Sequence, residues 1–202
     1  MKKAALLSTF AVALLVFGAL MAWGMLNEEP ATGRSGITRV EKPAPSFDLD
    51  QFDGGHFAVT DHLGQPVVIN FWASWCVPCK EEASALEEAW HHYSAHGVTF
   101  VGVDIQDTEV DARSFIQQYN ITYPNGPDTA GRITIDYGVV GIPVTFFVDR
   151  GGVIVRRFVG PIAYQDLASW TEELIAKIRQ SSLDSDTRQR ANLALANNEG
   201  WR

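Results

Sequence analysis

A chain of 202 residues with a formal net charge of −8 is long enough to bury a full core. It is too acidic to suit nucleic acid, whose phosphates require clustered Lys and Arg. Its two cysteines lie two residues apart and its six tryptophans include two beside them, so composition points at one stretch.

The chain opens with Lys2-Lys3, followed by an uncharged run from Ala4 to Leu26 broken only by the hydroxylated Ser8 and Thr9. A spanning helix needs about 20 apolar residues, whereas a secretory h-region takes about 7–15. With no convincing small-x-small cleavage site before Trp23, the run reads as an uncleaved signal-anchor over residues 1–26. The Lys pair before it and Glu28-Glu29 after it place the N-terminus in the cytoplasm and the rest outside the cytoplasmic membrane. That location matters, because exported thiols are normally oxidised. Asn27 to Pro45 reads as a linker, with Glu, Pro, Gly, Ser and Thr and no apolar period.

A domain follows over residues 46–180. Ser46–Asp50 and Gly55–Thr60 alternate as strands of a hairpin about Gly54-Gly55. Val67–Trp72 is an apolar strand, and a helix runs from Cys76 to about His96, with Ala83, Leu86, Trp90 and Tyr93 on one face and Glu81, Glu87 and Glu88 elsewhere. Gly97 stops it. Val98–Asp104 is a strand covered on both faces. Asp107–Tyr119 is a helix with Val110, Phe115 and Ile116 as its apolar positions and acids near its start, Thr122–Pro124 a short extended piece, and Asp128–Tyr137 a small helix. Val144–Val148 and Val153–Val159 form a hairpin, and a last helix runs from about Ala163 to Arg179. Residues 181–202 form a polar tail with no assigned role. The order gives an α/β domain with a central mixed sheet and helices on both faces.

The motif Trp75-Cys76-Val77-Pro78-Cys79-Lys80 sits at a strand-to-helix junction, where Cys-x-x-Cys reads as a dithiol redox site. The helix N-terminus offers unpaired N–H groups and a partial positive charge, which favour thiolate over thiol. Cys76, at the helix start, is the expected nucleophile and Cys79, one turn in, the resolving thiol. Pro78 suits a first turn that has no use for its missing N–H. Half of a zinc site is the bland alternative, but zinc takes about four ligands and no further cysteine exists. A purely structural disulfide is disfavoured because so short a loop gains little from closure.

These residues resemble the thioredoxin superfamily. Gly141-Ile142-Pro143-Val144-Thr145 resembles that family's cis-proline loop. The apolar N-terminus, Pro43-Ala44-Pro45-Ser46-Phe47 and the extra segment between Asp107 and Tyr137 resemble its membrane-anchored TlpA/ResA/DsbE-like branch, associated with cytochrome c maturation. The resemblance implies a thioredoxin fold with an N-terminal hairpin extension and an insert after the second core strand. It also implies a cis bond before Pro143, which leaves the backbone of Ile142 free to pair with a substrate segment, and a substrate-contacting Trp75. Trp72 reads as core. Many thioredoxins carry an aspartate where this chain has Asn70, which cannot exchange a proton. The branch carries a glutamate where this chain has Glu82, one turn after Cys79. A partly buried Glu82 would then accept the Cys79 proton. The competing reading makes Glu82 one more acid on a solvated helix.

The leading expectation is therefore a membrane-tethered thiol–disulfide oxidoreductase with no cofactor beyond its Cys76–Cys79 pair. Its implied partners are exported disulfide-bearing proteins such as apocytochrome c, and a transmembrane electron donor of the CcdA/DsbD type. Two readings stand beside it: an oxidant or isomerase that introduces disulfides, and a non-enzymatic module delivering metal or haem. A peroxidase is disfavoured, because a Thr/Ser-x-x-Cys arrangement is missing before Cys76. No metal site is expected, and His91, His92 and His96 read as solvated residues.

Overall fold

The computed structural model of the protein describes residues 40–176 together with Leu14, Val16 and Phe17. Those three are helical and exposed. The rest of the span predicted over 4–26, and the tail over 181–202, lie outside the described residues. Among the described residues no helix is long and apolar enough to cross a membrane.

In chain order the elements begin with β1 (Lys42–Pro43), β2 (Asp48–Asp50), β3 (His56–Ala58), β4 (Val67–Trp72) and α1 (Val77–Tyr93). They continue with β5 (Thr99–Asp104), α2 (Glu109–Gln118), β6 (Asn125–Pro127), α3 (Arg132–Asp136), β7 (Val144–Val148) and β8 (Val153–Val159). A last helix, α4, covers 164–176. Six strands form one mixed sheet in the order β1-β8-β7-β4-β5-β6, while β2 and β3 pair as a separate hairpin. Strand β4 runs parallel to β5 and antiparallel to β7. This is the thioredoxin-like architecture expected from the sequence.

Strand alternation builds the two layers of the core. On β4, Val67, Ile69 and Phe71 enter a cluster with Phe47, Leu49, Phe57, Ile133 and Tyr137, contributed by the hairpin and α3. Val68 and Trp72 face the opposite way, into a cluster with Ala83, Leu86, Ala89 and Tyr93 of α1 and with Leu167 and Leu174 of α4. Between them in the same alternation stands Asn70, a polar residue only 2% exposed. The alternation thus turns Asn70 toward helix α1, where it meets Glu82.

Several boundaries differ from the sequence reading, each for a local reason. Pairing starts at Lys42–Pro43, inside the segment read as linker, because β8 offers an edge that accepts a short strand with a proline. The hairpin strands are shorter than predicted, and Val59–His62 is a 3-10 turn. Helix α2 begins at Glu109 because the Thr108 side chain caps it by accepting the Asp111 N–H. Of its apolar positions Val110 is 74% exposed, and Phe115 carries the packing, stacked on Trp72. Glu87 is buried rather than solvated, accepting the N–H and hydroxyl of Thr122. Asn125–Pro127 adds a parallel strand beyond β5 that periodicity could not reveal in three residues. Helix α3 starts four residues later than predicted, at Arg132, with the Asp128 carboxylate accepting from Ile133 and Thr134.

The hairpin is fixed to the sheet through β6, where the Phe52 N–H donates to Asn125 O at 2.9 Å. A Cβ on Gly126 would lie 2.3 Å from Asp50 O and 2.8 Å from Leu49 Cγ. Gly126→Ala is therefore expected to destabilise the protein by roughly 1–3 kcal/mol in urea unfolding. A shift of the midpoint too small to measure would mean the hairpin is not held at this point.

Candidate functional site

Strand β4 ends at Trp72 and the chain turns through Ala73-Ser74-Trp75 into α1. Cys76 is the N-cap of that helix, with extended backbone, and its Sγ accepts the Cys79 N–H at 3.2 Å. Cys76 and Cys79 form a disulfide here, and they are 4% and 1% exposed. The more exposed sulfur belongs to the expected nucleophile, although both are buried. When the bond opens, charge on Cys76 Sγ sits where the first-turn N–H groups and the helix dipole stabilise it.

The turn before Cys76 is held from the β5–α2 loop. Ser74 donates to the Asp107 carboxylate from its backbone N–H and, at 2.9 Å, from its hydroxyl. The Trp75 indole N–H donates to Gln106 O at 2.9 Å while the ring stays 55% exposed. Trp72 is core, and its indole N–H donates to the Asn125 side chain.

Across from the dithiol, the Ile142–Pro143 peptide bond is cis. The Phe71–Val144 register sets Pro143 beside the end of β4. Ile142 packs against the cluster that contains both cysteines, and among the described residues none of its backbone groups has a backbone partner. Trp75, Cys76, Cys79, Ile142 and Pro143 thus gather at one end of the sheet.

Glu82 is not the partly buried acid of the sequence reading, nor a solvated one. It is 1% exposed, because the face of α1 that carries Cys79, Glu82, Ala83 and Leu86 is laid on the sheet. One carboxyl oxygen accepts from Asn70 Nδ2 at 2.7 Å and the other from the Ile162 N–H at 2.9 Å. Asn70 also donates to Thr145 Oγ1 on β7. Burial pushes the Glu82 carboxyl up to about 7, against a smaller opposing effect of its two donors.

A second buried acid escaped the sequence reading. Asp104, at the end of β5, is 3% exposed; burial and the neighbouring Asp107 carboxylate raise it to about 8. Asp104 and Asp107 stand at the carboxyl end of a parallel strand beside the one leading to the motif, a place where α/β sheets commonly bind ligands. That placement was the available signal.

The comparisons with known proteins agree with this geometry. A model of the AhpC/TSA family matches residues 40–157. The thiol-disulfide oxidoreductase ResA of Bacillus cereus is 29% identical over 178 residues, covering 88% of this chain and 99% of the relative. The thiol:disulfide interchange protein DsbE of Allochromatium vinosum is 35% identical over 163 residues, covering 79% of this chain and 85% of the relative. Among solved structures, a putative DsbE from Chlorobium tepidum superposes with a TM-score of 0.63 at 28% identity, over 70% of this chain and 99% of that one.

Glu82 is raised from 4.5 to about 7 on folding. The folded state therefore binds the extra proton between those values, and stability is full below about pH 4.5 and falls as pH rises through 7. In Glu82→Gln this contribution, roughly 3 kcal/mol between pH 4 and 8, is expected to vanish from the pH dependence of urea stability. Parallel pH profiles for the two proteins would show that Glu82 ionises normally.

Proposed function

The chain belongs to the AhpC/TSA family and is a thiol-disulfide oxidoreductase of the ResA/DsbE type, and from that premise we propose that it is a membrane-tethered reductant of exported proteins. The observation that carries the reading is the Cys76–Cys79 disulfide at the N-cap of α1, one turn from a buried carboxyl whose proton exchanges near neutral pH.

In the proposed cycle the Cys76 thiolate attacks one sulfur of a substrate disulfide, and the other substrate sulfur leaves as a thiolate. Cys79 then passes its proton to Glu82 and attacks Cys76 Sγ in the mixed disulfide. The second substrate sulfur is released, and two electrons have moved from the dithiol to the substrate. Glu82 suits the transfer because a group near 7 can both take and return a proton under ordinary conditions. Trp75 covers the reacting sulfurs on one side. The free backbone of Ile142, next to Pro143, pairs with the extended substrate segment.

The uncharged run over 4–26 supports an anchor with the domain outside the cytoplasmic membrane. Reduction there needs a supply of electrons, which a transmembrane donor of the CcdA/DsbD type would deliver to the Cys76–Cys79 disulfide. The resemblance to the TlpA/ResA/DsbE-like branch, associated with cytochrome c maturation, makes apocytochrome c the proposed substrate, since its haem-attachment cysteines must be reduced before thioether bonds form. No cofactor enters the cycle. Peroxide chemistry finds less support, because Ala73 leaves no hydroxyl three residues before Cys76.

The reduction potential of the full-length protein, equilibrated against glutathione and dithiothreitol buffers, is expected well below about −200 mV. A value near about −120 mV would make the protein a disulfide donor instead. In parallel, Cys79→Ala is expected to accumulate a Cys76 mixed disulfide with an oxidised Cys-x-x-Cys-His peptide, and Cys76→Ala to form none. Equal trapping by both variants would reverse the assigned roles.

A further inference from the structure

The acid that takes the Cys79 proton in the proposed cycle is met only by neutral groups. Among the described residues no Lys, Arg or His forms an ion pair with Glu82. Its oxygens accept instead from Asn70 Nδ2 at 2.7 Å and from the Ile162 N–H at 2.9 Å. The Ile162 donor is backbone and does not depend on the side chain at that position. Asn70 is a choice of sequence, set on β4 between Val68 and Trp72, which enter the apolar cluster against α1.

Asn70 is held from its other side as well. The same nitrogen donates to Thr145 Oγ1 at 3.1 Å, on the residue that faces Asn70 across the β4–β7 register. Both residues are buried, so rotating the amide would strip a buried donor of its partner. The amide therefore presents an N–H to Glu82, and a donor favours the ionised carboxyl over the protonated one. It works against the burial that raises Glu82 to about 7. The other titratable groups at hand are Cys79, one turn back on α1, and Tyr123 ahead of β6. Burial and the charges of Glu82 and Glu87 keep the Tyr123 phenol neutral. Thr145 and Ile162 bring no titratable group.

We propose that Asn70 is a positioning residue of the resolving half-reaction, holding the Glu82 carboxyl in place and favouring the ionised form that can take the Cys79 proton. This rests on the oxidoreductase reading above and on Glu82 as the acceptor. In the step itself the Cys79 proton passes to the Glu82 carboxylate and the Cys79–Cys76 bond forms. The bond from Cys76 to the substrate sulfur breaks, and its electron pair leaves on the substrate thiolate. No atom of Asn70 is exchanged; it acts through Glu82.

The test mixes the reduced full-length protein, in slight excess, with a symmetric chromogenic aryl disulfide in a stopped-flow instrument. One coloured thiolate is released when Cys76 attacks and a second when Cys79 resolves; the first release is second order and the second first order, which separates them. In the unsubstituted protein the second release is expected to quicken through an inflection near pH 7. Asn70→Leu is expected to move that inflection up by about one pH unit, and to slow the second release roughly tenfold on its acid side. Asn70→Ser, too short to reach Glu82, is expected to do the same and keeps the result readable should leucine disturb the layer. In a Glu82→Gln background Asn70→Leu is expected to move no inflection, since the group it acts through is gone.

An inflection unmoved in both Asn70 variants, with any slowing shared equally by the two releases, would make Asn70 merely structural and overturn the proposal. So would a shift that persists in the Glu82→Gln background. If Glu82→Gln alone leaves the profile of the second release unaltered, Glu82 is not the acceptor and the role of Asn70 falls with it. If no coloured thiolate appears at all, the oxidoreductase reading itself falls.

Discussion

The hydrogen bond from Asn70 to Glu82 is the contact on which the site is built. Through it β4 and α1, successive in the chain, are tied by polar groups inside an otherwise apolar layer. The Thr145 hydroxyl extends the connection to β7, and the Ile162 N–H extends it to the segment preceding α4. A buried carboxyl is tolerated only where donors meet it. Each of these four elements must therefore lie in register for Glu82 to stay under the helix. The same burial raises its carboxyl to about 7, one turn along α1 from Cys79.

A second set of bonds, independent of the first, governs the outer side of the dithiol. Asp107 and Gln106 fix Ser74 and Trp75, so the turn that delivers Cys76 to the helix N-terminus is held by side-chain and carbonyl acceptors from β5's far end. The dithiol thus stands between a buried carboxyl on one side and an acid-lined loop on the other. Both regions hold carboxyl groups raised by burial, Glu82 to about 7 and Asp104 to about 8. They differ in satisfaction. Glu82 has a donor on each oxygen, whereas Asp104 has an oxygen left over.

Family membership and local physics bear on different questions. The similarity to ResA and DsbE proteins over most of the chain places the protein among thiol-disulfide oxidoreductases. A Cys-x-x-Cys at a helix start will exchange with any disulfide that reaches it. Beside it stand the exposed Trp75 and the backbone of Ile142, which lacks a backbone partner among the described residues.

The sequence by itself determined the parts that depend on neighbours in the chain. The alternation of Val67–Trp72, the Cys76-to-Cys79 spacing at a helix start and the glycine stop at Gly97 are local, so periodicity and capping rules reach them. The cis-proline loop was legible only through resemblance, because nothing local at Ile142–Pro143 demands that isomer. Tertiary structure decided what depends on distant partners. Asn70 and Glu82 are twelve residues apart and Ser74 and Asp107 thirty-three, and only the crossover from β4 through α1 to β5 brings each pair together. Glu87, off the apolar face of its helix, is buried and the apolar Val110 is exposed for the same reason. A helix has more faces than its amphipathic pattern records, and which of them is covered depends on the elements that later pack there.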